Sequence, residues 1–232
     1  MNIVVVGASR GLGFCLVDRF AKEGHRLVAG VRDINNERLN SLSKTYKDIR
    51  LMHMDVTDEE SIKEAAKRLR EEDFTIDLLI HNAGIIVDGD GDKDILGISV
   101  DDFRRTLEVN TTGTMIALKY LVPLVDKSGS GQIFLITSEA GSITNSGSNL
   151  AAYSVSKAAQ NKIAFILKTT LASSCRVLAI HPGRMRTDMG GPYSEIEPEE
   201  AAEGIYRLAT NKTEVRQGSS IFIDYKGQEM QI

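Results

Sequence analysis

Tyr153 and Lys157 stand four residues apart in a stretch of helical pattern, so their side chains share one helix face within reach of each other. A phenol with an ordinary pKa of about 10 is a poor acid–base group at neutral pH. A neighbouring ammonium favours the phenolate and lowers that value by about 1–3 units, which makes the pair a tunable proton donor. Ser138, in Thr137-Ser138-Glu139-Ala140-Gly141, adds a hydroxyl able to orient a carbonyl oxygen. An exposed i,i+4 pair on a solvated helix looks the same in sequence, so the meaning of the pair depends on the elements around it.

Seven short runs, rich in β-branched apolar residues, alternate with longer amphipathic stretches: Ile3–Val6, Arg26–Val31, Ile49–Met54, Ile76–Ile80, Gln132–Thr137, Cys175–Ile180 and Ser220–Asp224. Most are continuously apolar, as strands buried on both faces of a parallel sheet are. One helical pattern carries Leu12, Leu16 and Phe20 and ends near Gly24, a C′ glycine. A second opens at Thr57 with Glu60 three residues on, a capping box, and continues through Ile62, Ala65, Ala66 and Leu69. A third starts near Ser99 and a fourth runs from about Leu150 to Leu171. A fifth begins at Pro198, ahead of Glu199 and Glu200, where the helix dipole favours negative charge. This alternation, without repeats or linkers, predicts one α/β domain over 1–232: a doubly wound, mostly parallel seven-stranded sheet with helices on both faces. Such a sheet binds its ligand beyond the carboxyl ends of its strands.

The first strand runs into Gly7-Ala8-Ser9-Arg10-Gly11-Leu12-Gly13 and straight on into a helix. Glycines let the backbone turn tightly and approach a pyrophosphate, whose charge then faces free N–H groups at the helix N-terminus. The spacing G-x-x-x-G-x-G is not the commoner G-x-G-x-x-G, so the generic dinucleotide fingerprint applies only in part. The second strand ends at Val31-Arg32-Asp33. An acid there receives a ribose 2′-hydroxyl and selects NAD, whereas an arginine accommodates a 2′-phosphate and selects NADP. Arg32 comes first and Arg10 adds a second guanidinium, so the reading favours NADP over NAD. Asp55-Val56 follows the third strand, where the carboxylate either accepts from an adenine amino group or begins a turn. Asn82-Ala83-Gly84 follows the fourth, small enough for close approach to a cofactor ribose.

Taken together, Gly7-x-x-x-Gly11-x-Gly13, Asn82-Ala83-Gly84, Asn110, Ser138, Tyr153-x-x-x-Lys157 and Pro182-Gly183 form an ordered set over essentially the whole chain. That set resembles the short-chain dehydrogenase/reductase family, in its compact branch. Thr187-Asp188-Met189-Gly190-Gly191 and the short segment to Pro198 look most like its carbonyl-reductase-like and C-factor-like members. The resemblance implies a Rossmann fold and an oxidoreductase that moves a hydride between a nicotinamide and a carbonyl or secondary alcohol. It implies that Tyr153 gives or takes the proton, that Lys157 lowers its pKa and holds the nicotinamide ribose, and that Ser138 hydrogen-bonds the substrate oxygen. Asn110 would support a proton-relay water beside Lys157, the stretch from Pro182 and Gly183 to Thr187 would cover the nicotinamide, and Asp55 would touch adenine. Val6 stands where the family often has threonine, one hydrogen bond fewer in the loop. The family also implies a homodimer or homotetramer.

The remaining features exclude more than they assign. The 232 residues carry a formal net charge of −4, which argues against a nucleic-acid binder with its basic stripe. Ile3–Val6 is too short and lacks the basic flank of a signal peptide, and no apolar run reaches membrane-spanning length, so a cytoplasmic protein is expected. Cys15 and Cys175 read as buried small hydrophobes of a reducing compartment. His25, His53, His81 and His181 lack ligand spacing, so no metal site is expected. Asp88–Asp94 resembles a calcium loop but has Lys93 and Ser99 where that loop needs glycine and glutamate, and is read as an acidic surface loop. Arg184 and Arg186 either attract an anionic substrate or are solvated loop charges. A rival to catalysis is a nucleotide-binding sensor that keeps the fold without turnover. An epimerase or dehydratase would need a longer chain with a separate substrate portion.

Overall fold

The computed structural model describes residues 1–90, 94–215 and 221–232. Strand β1 (Asn2–Val6) lies at the middle of the sheet, paired in parallel with β2 (Arg26–Val31) on one side and β4 (Leu78–His81) on the other. β3 (Ile49–His53) lies beyond β2, while β5 (Gly131–Ile136), β6 (Cys175–His181) and β7 (Phe222–Asp224) follow β4. The order β3-β2-β1-β4-β5-β6-β7 is parallel throughout. The chain leaves β1 on one side and returns on the other, so the carboxyl ends of β1 and β4 flank the switch point where such sheets bind ligands.

Helices cover both faces, which is why the strands read as continuous apolar runs. Ile3, Val5, Leu78 and Ile80 pack against α1 (Gly11–Ala21) and α7 (Pro198–Ala209), through Leu16, Phe20, Ile205 and Leu208. Their neighbours Val4, Val6 and Leu79 face α3 (Glu59–Glu71), α5 (Gly113–Leu121) and α6 (Ala151–Leu171), through Ile62, Leu69, Leu118 and Ala164. Each fully buried Val, Leu, Ile or Phe among them contributes about 1.5–3 kcal/mol. Cys15 and Cys175 are buried free thiols.

Several boundaries differ from expectation. Strand β4 starts at Leu78 because Ile76 makes only a single bridge, to Val125. Ser220 lies outside the described residues. Two helices were not foreseen: α2 (Glu37–Thr45), which buries only Leu39, and α5. Thr57 does not cap α3. Asp58 does, accepting from the N–H groups of Glu60 and Ser61, while Thr57 donates to Asp55. Ser99 caps α4 (Val100–Leu107), which continues through a π turn, Glu108–Thr112, into α5. Among the described residues no helix is long and apolar enough to cross a membrane.

Candidate active site

Beyond β1 the chain turns at Gly7, where φ is +84°, and the Gly7 and Ala8 N–H groups both donate to the Gly30 carbonyl at 3.0 Å. Helix α1 then begins with no side-chain cap and no acidic residue in its first turn, which leaves the positive end of its dipole uncompensated. Gly13 is required for space: a Cβ there would collide with the Gly7 carbonyl oxygen and come 2.7 Å from Asn82 Nδ2. Asn82 Nδ2 donates to that same carbonyl at 2.8 Å, and a Cβ at Gly7 would lie 2.7 Å from the Ala83 backbone. Asn82 and Ala83 therefore brace the glycine loop from below.

Above the loop opens a cleft of about 390 Å³. It is lined by Gly7, Ser9, Arg10, Gly11, Leu12, Arg32, Asp55, Val56, Asn82, Ala83, Gly84, Tyr153, Lys157, Pro182 and Thr187, which the sequence had singled out. Gly13, Gly183, Asn110 and Ser138 are not on its wall. Arg38, Arg105 and Arg186 also line it, so five guanidiniums meet only three carboxylates, Asp55, Asp188 and Glu199, in a chain whose net charge is negative. An anionic ligand suits that field. Asp33 does not reach the cleft; its carboxylate accepts from the Asn35 N–H at 2.8 Å in a turn, which leaves Arg32 as the inward group after β2. Arg10 spans to Asp188 at 3.1 Å. Burial alone would raise the Asp55 pKa, but the Thr57 N–H and hydroxyl and the Arg32 charge outweigh it and hold the carboxyl below its ordinary value. The uncapped helix end, the glycine cradle and the cationic wall fit a dinucleotide's phosphates.

Tyr153 and Lys157 are both buried, unlike an exposed i,i+4 pair, and Lys157 Nζ lies 5.4 Å from the Tyr153 ring centre. The expected lowering of the phenol's pKa is not what the structure produces. Burial pushes Tyr153 up to about 12, with the Ser138 hydrogen bond opposing and the Glu139 charge adding to the rise. Burial pushes Lys157 down to about 7. In both groups desolvation disfavours the charged form. Ser138 is thereby placed against the phenol, and its hydroxyl also accepts from the Ala140 N–H at 3.2 Å.

Asn110 sits in the π turn, a helix irregularity frequent at functional sites. Its side chain accepts from Ile85 N at 2.8 Å and donates to Ile85 O and to Ser156 Oγ, both at 2.9 Å. It lies behind Gly84, whose Cβ would stand 3.3 Å from Asn110 Oδ1 and 3.5 Å from Lys157 Nζ. Arg184 donates to Glu139 at 2.6 Å and Arg186 pairs with Glu197, so both loop cations have carboxylate partners. The acidic-loop reading is corrected at Asp90, which is fully buried. Its carboxylate accepts from the N–H groups of Ala152 and Tyr153 at 3.2 and 3.0 Å, and its carbonyl from Leu150 N at 3.0 Å. Helix α6 has no cap of its own, so Asp90 closes its amino end. Gly91, Asp92 and Lys93 lie outside the described residues. Nothing local in the sequence marks Asp90, whereas Gln160, three residues past Lys157 on the same buried face, was open to detection by helical spacing.

The strand order and the glycine loop at its switch point define a doubly wound dinucleotide-binding protein. A family model described as short chain dehydrogenase matches residues 1–198, and the chain belongs to that family as an NAD(P)-dependent dehydrogenase/reductase. It is 31% identical over 185 residues to the NADP-dependent 3-hydroxy acid dehydrogenase YdfG of Escherichia coli (strain K12), covering 79% of this chain and 72% of that one. A Burkholderia multivorans structure with bound NADP is 30% identical, with a TM-score of 0.89 over 100% of this chain and 99% of that chain. NADPH-bound carbonyl reductase from chicken fatty liver is 26% identical, with a TM-score of 0.88 over 100% and 94% of the two chains.

Proposed function

We propose that the chain, one domain over 1–232, is an NADP-dependent oxidoreductase that reduces a carbonyl to a secondary alcohol. The observation that carries this reading is the burial of Tyr153, Lys157 and Ser138 as one group beside the glycine loop. Arg32, inward where Asp33 is not, supports NADP over NAD, and Arg10 lies within the same cleft for the 2′-phosphate. NADPH, when bound, supplies the hydride.

The chain's own residues supply position and a proton. The helix N-terminus from Gly11 to Gly13 and the Ser9–Arg10 turn would hold the phosphates, Asp55 and Val56 would meet the adenine, and Pro182, Gly183 and Thr187 would border the nicotinamide. Ser138 orients the carbonyl oxygen and Tyr153 delivers its phenolic proton to that oxygen as negative charge develops. Lys157 would hold the ribose hydroxyls, and Asn110 keeps the segment behind Gly84 in place. Met115, Val155 and Ile166, exposed on α5 and α6, support a homo-oligomer, and the two buried free thiols support a cytoplasmic setting.

NADPH oxidation across a panel of aldehydes, ketones and quinones tests the reaction. NADPH that binds but is never oxidised contradicts it. For the cofactor, Arg32→Ala is expected to weaken NADPH binding at least about tenfold more than NADH binding, the range of one lost charged hydrogen bond. Equal weakening of both refutes the NADP preference.

A further inference from the structure

We infer that Gln160 is a positioning residue for Lys157, linking its ammonium through the Thr114 hydroxyl to the Asn110 carbonyl. The inference rests on the proposed role of Lys157 in holding the cofactor beside Tyr153. Gln160 is fully buried on the inward face of α6. Lys157 Nζ donates to Gln160 Oε1 at 2.7 Å and to the Ile136 carbonyl at 3.0 Å. Gln160 Nε2 donates to Thr114 Oγ1 at 2.7 Å, and Thr114 Oγ1 donates to the Asn110 carbonyl at 2.6 Å.

The direction of this chain is fixed by its ends. An ammonium only donates and a carbonyl only accepts, so each link between them must pass its hydrogen the same way. The amide oxygen of Gln160 therefore faces Lys157 and its NH₂ faces Thr114. Two of the three ammonium hydrogens are taken by Ile136 and Gln160, which leaves the third for the cleft that Lys157 lines. Asn110 is itself hydrogen-bonded to Ile85 and Ser156, so the far end of the chain is tied to two further elements of the site.

Gln160 takes the place a carboxylate would fill. The titratable groups facing Lys157 are Tyr153 from its own helix and His81 from β4, whose ring is fully buried. From α5 comes Thr114, from the π turn before it Asn110, and from β5 the Ile136 carbonyl, so among the described residues no carboxylate pairs with the ammonium. Its charge is held by two uncharged acceptors, and the amide is the one that a substitution can remove. A residue that only fills space at this position would leave the ionisation of Lys157 unchanged.

The test compares Gln160→Met with Gln160→Glu in the full chain. The readout is the Lys157 amine titration, followed by NMR of isotope-labelled lysine without cofactor and assigned by its loss in Lys157→Met. Gln160→Met removes the acceptor and is expected to lower the midpoint by about one pH unit, while Gln160→Glu supplies a charge and raises it by about one unit. The alkaline limb of NADPH turnover should follow in the same two directions. Midpoints that stay at the wild-type value, or that move the same way in both variants, overturn the inference. If Gln160→Met does not fold, Gln160→Glu alone decides, an unmoved midpoint being the refutation. Failure of the oxidoreductase reading looks different: turnover is then absent from every variant, while the opposed midpoint shifts still support the Lys157–Gln160 link.

Discussion

Asp90→Ala removes the carboxylate that closes the amino end of α6. Two backbone N–H groups, those of Ala152 and Tyr153, lose their acceptor inside a fully buried site. Losing an ordinary capping side chain costs about 0.5–2 kcal/mol, and a charge on the helix dipole in a partly buried setting is worth up to about 2 kcal/mol. Leu150, held at a left-handed φ of +56° just before the helix, also depends on this loop through its bond to the Asp90 carbonyl. The combined loss is about 2–3 kcal/mol, or a fall in Tm of about 5–10 °C for a chain of this size. Asp90→Asn keeps one acceptor oxygen but no charge, so its loss should be roughly half as large. Calorimetry or thermal melts by circular dichroism, with NADPH turnover alongside, provide the assay. Because Tyr153 sits in the affected turn, turnover should fall below the level that melting alone explains. An Asp90→Ala protein melting within a degree of wild type refutes the capping argument.

Other outcomes follow from burial and space. His81, fully buried in β4, has its pKa pushed down to about 3 by burial first and the Lys157 charge second. The unfolded chain then binds the extra proton, so this contribution is complete above about pH 6.5 and is lost as pH falls toward 3, amounting to about 2 kcal/mol by pH 5. Denaturant titrations should show His81→Asn with a flatter acid limb; parallel limbs would contradict the sign. Gly13→Ala must push a methyl into the Gly7 carbonyl and Asn82, and is expected to weaken NADPH binding at least about tenfold. Unchanged binding by fluorescence titration would show that the loop has room.

The strands were legible because both faces of the sheet are covered, so Ile3–Val6 reads as one apolar run. Helix α2 was not, since a single buried residue, Leu39, leaves no stripe to detect. The capping box at Thr57 had the right composition one residue early, as Asp58 competes for the same N–H groups and wins. The glycine loop and the Tyr153–Lys157 pair were visible from spacing, and the reading that favoured Arg32 over Asp33 agrees with the Asn35 turn that holds Asp33 away from the cleft Arg32 lines. Spacing reports which groups are near each other but not how far water is excluded. For that reason the phenol's pKa moved opposite to expectation. Asp90 acts across 62 residues, a distance over which no local pattern carries information.

The central claim is that the Tyr153 phenol donates the proton beside a bound dinucleotide. Tyr153→Phe removes one hydroxyl and tests it most directly, by NADPH affinity and by NADPH-dependent turnover measured on the same preparation. The account predicts affinity within about threefold of wild type and turnover lower by at least about 100-fold, the usual share of a general acid. Turnover that persists near the wild-type rate in the phenylalanine variant would contradict it.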